Sequence, residues 1–107
     1  MSSKTAVDPR YTELRWQKTR WTAQNCEAWI AGCADVFSAP LLAEFAAELH
    51  GYGSVVLDVS ELDVADATFL RFLLRLRDPE QRTVRVTGAR THLKRLLDVT
   101  GLGYLFS

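Results

Sequence analysis

The sequence predicts an α/β domain: a mixed, mostly parallel sheet opened by an N-terminal hairpin, with helices packed against it. Three observations carry this. Near-alternating β-formers fill residues 12–22 and an apolar extended segment follows at "CEAWIAG"; "SVVLDVS" is a short continuous apolar run; and segments with helical spacing separate the later strand signals. Strands alternating with helices imply right-handed crossovers between parallel neighbours.

Taken in order, "TELRWQKTRWT" and "CEAWIAG" read as two strands of a hairpin, with Trp16, Trp21 and Trp29 packing on the sheet rather than forming a base-stacking platform. Ser38 is placed to cap a helix whose first turn tolerates Pro40, and Leu42, Phe45, Ala46 and Leu49 follow at offsets of three, four and seven. That helix should end near "HGYG". The run "SVVLDVS" suits a central strand covered on both faces, so an aspartate at Val56 should unfold the domain. A helix from about Asp66 to Arg77 comes next, stopped by Asp78 and Pro79. "RTVRVTG" alternates like a strand nearer an edge. In "ARTHLKRLLDVTG", Leu93, Leu96, Leu97 and Thr100 repeat at helical offsets, with Gly101 placed to turn left-handed after the last turn. "YLF" is read as a last short strand.

A chain of 107 residues fits one domain, and 48% hydrophobic against 24% charged residues is the balance of a packed globular core. We read residues 1–11 as a flexible arm and 12–107 as the domain. Thirteen basic residues offset thirteen acidic ones, so no global field draws in nucleic acid or an anionic membrane, and recognition must be local. The start lacks the apolar segment of a signal peptide and no run of about 18 apolar residues occurs, which makes the cytoplasm the expected location, without membrane insertion. Cys26 and Cys33, seven apart on an extended segment, lie about 23 Å from one another on opposite faces and are expected to be free.

In such a sheet, ligands and partners meet the loops at the carboxyl ends of the strands. Those loops are "GCADVFSAP", "DVSELDVADAT" and "VTGAR", so Asp35, Asp58, Asp66 and Thr68 are expected to gather at one end. Carboxylates on separate loops without a binding-loop spacing do not make a metal site, and no cofactor is expected. His50 and His92 have no nucleophile in a triad-like arrangement, and "GLG" at 101–103 follows a helix rather than a strand, so no catalytic or dinucleotide site is expected. Asp66 is a good helix cap in its own right. Arg71 and Arg75, three and seven residues after Thr68, should share its helix face.

The order and spacing of four segments resemble the STAS domain shared by anti-sigma factor antagonists and sulphate transporters. "GCAD" at 32–35 is similar to that family's Gly-Glu-Leu-Asp, "VVLDVSEL" to its central strand, "ADATFL" to its Asp-Ser-Ser/Thr-Gly-Leu, and "TGLGYLF" to a common tail segment. The resemblance spans about residues 12–106. It implies a binding protein rather than an enzyme, in which Thr68 is the phosphoacceptor of a serine/threonine kinase that is itself the anti-sigma factor. Asp35, Asp66, Phe69, Arg71 and Arg75 become the partner-binding residues.

Departures from the pattern qualify what it implies. Ala67 replaces one hydroxyl of the motif, Phe69 stands where the family has glycine and is expected to obstruct a conventional kinase, and Cys33 with Ala34 replaces an acidic–leucine pair. The chain stops at Ser107, where many relatives continue into another helix, so one flank of the sheet is expected to be open, available for a homodimer. Two readings follow from the resemblance: a phosphorylation-switched anti-sigma factor antagonist, or a constitutive STAS adaptor in a larger complex such as a lipid-transport assembly.

Overall fold

The computed structural model describes residues 12–77 and 82–103. The expected arm at 1–11, the stop at Asp78 and Pro79, and the "YLF" strand lie outside the described residues. The elements run β1 (Arg15–Trp21), β2 (Asn25–Ala34), α1 (Ala39–Glu48), β3 (Ser54–Ala65), α2 (Ala67–Arg77), β4 (Thr83–Thr87) and α3 (Thr91–Thr100). The strands form one sheet in the order β1-β2-β3-β4, with β1 antiparallel to β2 and the other two pairs parallel. The hairpin and the mixed α/β sheet are therefore as the sequence predicts.

Because β2, β3 and β4 are adjacent in chain order, two right-handed crossovers put α1 and α2 on the same side of the sheet, and α3, after β4, joins the same core. Packing agrees with this. A single core cluster joins Leu42, Phe45 and Leu49 of α1, Phe69, Phe72 and Leu73 of α2, and Leu93 and Leu97 of α3 to Cys26, Ala28, Ile30, Val55, Leu57, Val59 and Val84 of the strands. Trp16 stacks on Phe45 at 5.1 Å between ring centroids, and the stack continues through Phe72 to Phe69.

The expectation that "SVVLDVS" is covered on both faces is corrected. Val55, Leu57 and Val59 are buried, but Val56 is only half-buried and Asp58 and Ser60 are exposed. Val56 sits in register between Glu27 and Arg85, both exposed, on a face that no described helix covers. The three tryptophans divide in the same way. Trp16 reaches the core, Trp29 alternates with the buried Ala28 and Ile30, and Trp21 at the hairpin end is 55% exposed, with Lys18 Nζ 4.9 Å from its ring centroid.

A second correction concerns "DVSELDVADAT", read as a loop. It is strand as far as Ala65, because β2 is also long and its end pairs with Glu61, Leu62, Val64 and Ala65 across two register shifts. Gly32 lies at one of these shifts with φ +94°, and a Cβ there would stand 2.4 Å from the Glu13 carbonyl oxygen. Only glycine lets the incoming chain approach this closely, and Cys33 N–H then donates to the Thr12 carbonyl at 2.8 Å. Cys26 and Cys33 are both free and buried. Burial pushes the Cys26 thiol up, against the opposing pull of Lys18. At the far end, Gly101 takes the left-handed conformation expected after α3, with φ 72°.

Candidate functional site

The adjacent ends of β2 and β3 bring Asp35 and Asp66 together. The Asp66 N–H donates to the Ala34 carbonyl at 3.4 Å, so the residues that leave the sheet into α1 and α2 leave it side by side. Each aspartate then organises its own turn. Asp66 Oδ1 accepts from the Thr68 N–H at 2.8 Å, and its backbone carbonyl accepts from Phe69 and Leu70. The carboxylate satisfies an orphan donor of the helix start, as its residue type predicts.

Asp35 takes the role expected of Ser38. Its Oδ1 accepts from the Phe37 N–H at 3.1 Å and starts a single 3-10 turn, Val36–Ser38, ahead of α1. The buried Ser38 hydroxyl makes no cap bond to the helix; it donates to the Cys33 carbonyl at 2.6 Å and lies 3.2 Å from Asp35 Oδ1. Pro40 does sit in the first turn of α1. Asp58 does not join this group. It lies in mid-strand, paired with Trp29 and Thr87, and its carboxylate accepts from the Ser60 N–H at 2.9 Å.

On α2 the helical period separates two sets of side chains. Phe69, Leu70, Phe72, Leu73 and Leu76 are buried, while Arg71 and Arg75 are exposed and Thr68 is half-buried. Thr68, Arg71 and Arg75 line a groove of ≈ 240 Å³ between α2 and α1, whose other side is formed by Val36, Ala39, Leu42, Ala43 and Ala46. The shared face expected for the threonine and the two arginines is thus observed.

Phe69 departs from its expected place in the partner-binding set. It is fully buried, its ring 5.6 Å from that of Phe72, and so offers no side chain to a partner and no obstruction to a kinase. The residue after the threonine points inward because it falls on the apolar stripe of α2, which the sheet covers. The sequence reading missed Val36, which lines the groove and is 62% exposed, and its neighbour Phe37, 83% exposed. Their signal was an apolar pair directly after the capping Asp35, in a loop that would otherwise be polar.

A further patch lies across β3, where Ala65, His92, Arg95, Leu96 and Val99 line a shallow surface. Next to it Arg90 donates to the Ser60 carbonyl at 2.8 Å and pairs with Glu61 and Asp63, tying the start of α3 to the long end of β3. Among the described residues no three His, Cys, Asp or Glu side chains are grouped to hold a metal, and no helix is long and apolar enough to cross a membrane.

With this geometry in place, the family model described as "Mlab, STAS domain" matches residues 19–106. The chain belongs to the STAS domain family. No curated protein matches it. Three solved structures share the fold of this STAS domain. An anti-sigma factor antagonist from Mycobacterium paratuberculosis superposes with a TM-score of 0.72 at 16% identity, covering 87% of this chain and 82% of that one. The anti-sigma factor antagonist SpoIIAA in its unphosphorylated form gives 0.65 at 17% identity, covering 87% and 86%. SpoIIAA in its phosphorylated form, described as a Bacillus cell fate determinant, gives 0.62 at 14% identity, covering 87% and 89%. At these identities the likeness carries the fold.

Proposed function

We propose that this STAS domain is a cytoplasmic anti-sigma factor antagonist, a binding protein and not an enzyme, whose hold on a kinase-type anti-sigma factor is switched by phosphorylation of Thr68. The observation that carries the reading is the placement of Thr68. It stands in the first turn of a helix capped by Asp66, lines the groove between α1 and α2, and its hydroxyl has no hydrogen-bond partner among the described residues. Arg71 and Arg75 line the groove with it, Asp66 caps its helix, and together with Asp35 at the neighbouring strand end they form the docking surface. The two SpoIIAA structures support the reading, since that antagonist is described in unphosphorylated and phosphorylated forms.

A phosphate on Thr68 adds about −1.5 to −2 charges. The helix start and Arg71, three residues on, favour that charge; Asp35, Asp66 and a partner surface shaped for a neutral hydroxyl oppose it. The switch therefore acts at the interface and leaves the fold nearly unchanged. The second reading, a constitutive adaptor in a complex such as a lipid-transport assembly, draws on the "Mlab" description of the family model and uses the same surface without a phosphate cycle. Pull-down of the endogenous partner, with phosphate mapped by mass spectrometry in the same sample, separates the two. Under the first reading Thr68→Ala binds permanently and Thr68→Asp binds weakly. Equal binding of both variants and wild type, with no phosphate at Thr68 in cells, leaves the adaptor.

A further inference from the structure

The groove between α1 and α2 has a composition that the phosphoacceptor alone does not explain. Its floor is apolar, with Leu42 and Phe72 at the bottom and the small side chains of Ala39, Ala43 and Ala46 leaving room above them. One wall carries Arg71 and Arg75, and both are exposed. Among the described residues neither guanidinium has a carboxylate or carbonyl partner, whereas Arg90, on another surface, is bonded to two carboxylates and a carbonyl. Two cations four residues apart on one helix lie one turn apart, roughly 6 Å, above an apolar trough. Val36 and Phe37 extend the apolar surface past the start of α1.

We infer that this groove receives an amphipathic helix of the protein partner, one that seats an apolar stripe on Leu42 and Phe72 and sets carboxylates one turn apart against Arg71 and Arg75. The inference rests on reading this face as the partner surface and adds the chemistry of what occupies it. A helix fits because the trough runs between two helices and the cation spacing matches the i, i+4 repeat of a facing helix. An acidic flank fits because two guanidiniums stand unpaired beside the trough, and carboxylates are their natural bidentate partners. Arg71 is then shared. A phosphate on Thr68 draws it away from the partner's carboxylate, so the switch works by competition for one guanidinium as well as by repulsion.

The test uses two synthetic helical peptides of about 18 residues with the same leucine stripe, one flanked by glutamates and one by lysines at the same positions. Titrated against the whole chain by fluorescence anisotropy, the glutamate peptide should bind at least about tenfold more tightly than the lysine peptide, and the preference should shrink as salt rises. The double variant Arg71→Glu/Arg75→Glu, both exposed and so without effect on folding by circular dichroism, should reverse the preference. Equal binding of the two peptides, no binding of either, or an unchanged preference in the double variant overturns the inference. Failure of the phosphate cycle leaves this result untouched: a preference for the glutamate peptide together with no phosphate at Thr68 keeps the acidic helix and removes the switch.

Discussion

On the helix-covered face of the sheet, Val55, Leu57 and Val59 are sealed against α1, α2 and α3, whereas one residue along the same strand Val56 is half-buried and Asp58 and Ser60 are exposed. Both sets belong to one apolar run in the sequence. The difference shows that a continuous run of β-branched and aliphatic residues does not by itself mean two covered faces. In this chain the two crossovers return on the same side, α3 packs into the same core, and no described helix covers the other face. Val56, between Glu27 and Arg85, contributes a half-buried apolar surface to a polar row.

The sharpest way to break this comparison is a pair of substitutions. Leu57→Asp places an uncompensated charge in the core and should unfold the domain, a loss of more than about 4 kcal/mol. Val56→Asp, one residue away and next to Arg85, should cost no more than about 1 kcal/mol. Urea denaturation followed by circular dichroism measures both. Similar losses in the two variants would mean that the second face is as well covered as the first.

The same contrast holds for consecutive residues on α2. Phe69→Ala removes a ring stacked in the core and should cost about 3–5 kcal/mol, while Thr68→Ala, at the groove, should stay within about 0.5 kcal/mol. A Phe69→Ala variant as stable as wild type would return Phe69 to the surface set.

A smaller effect is expected where β2 is bent. Gly32→Ala must hold an alanine at φ +94° and displace the Glu13 carbonyl, which should lower stability by about 2–3 kcal/mol. Amide hydrogen exchange should then quicken at Cys33, whose N–H depends on that approach. Protection of Cys33 equal to wild type would count against the close packing of the entering chain.

A further, modest effect belongs to the helix start. Asp66→Ala deletes the carboxylate that accepts from Thr68 N–H and should cost about 1 kcal/mol, with Asp66→Asn recovering most of it. If the alanine variant is as stable as wild type, the carboxylate is not a cap, and its role lies wholly in partner contact.

Much of the fold could be read before any coordinates, because each piece depends on local chemistry. Helical spacing in α2 and α3, Pro40 in a first turn, Gly101 past a helix end and Asp66 before one follow from backbone conformation and hydrogen bonding within a few residues. The site was partly legible for the same reason. Thr68, Arg71 and Arg75 share a helix face by periodicity alone.

The residues read wrongly were those whose surroundings come from distant segments. Phe69 looked like a surface residue because it stands where relatives have glycine, yet the stripe it falls on is covered by the sheet and by Phe72. Ser38 looked like a cap because of its residue type, but the backbone turns one step earlier, at Asp35, and leaves the hydroxyl facing Cys33. Asp58 was placed at the functional end because β3 was expected to stop near Ser60, whereas the long β2 pulls it on to Ala65.

The sequence by itself determined the order of helices and strands, where α2 begins, and which α2 side chains face together, since these depend on φ/ψ preference, capping and period. The tertiary structure alone decided that, among the described residues, no helix covers one face of the sheet, that Asp35 and Asp66 lie side by side, and that Val36, the alanines of α1 and the arginines of α2 enclose one groove. Those outcomes depend on which way the crossovers return and how far neighbouring strands pair, and both are set by contacts between residues far apart in the chain.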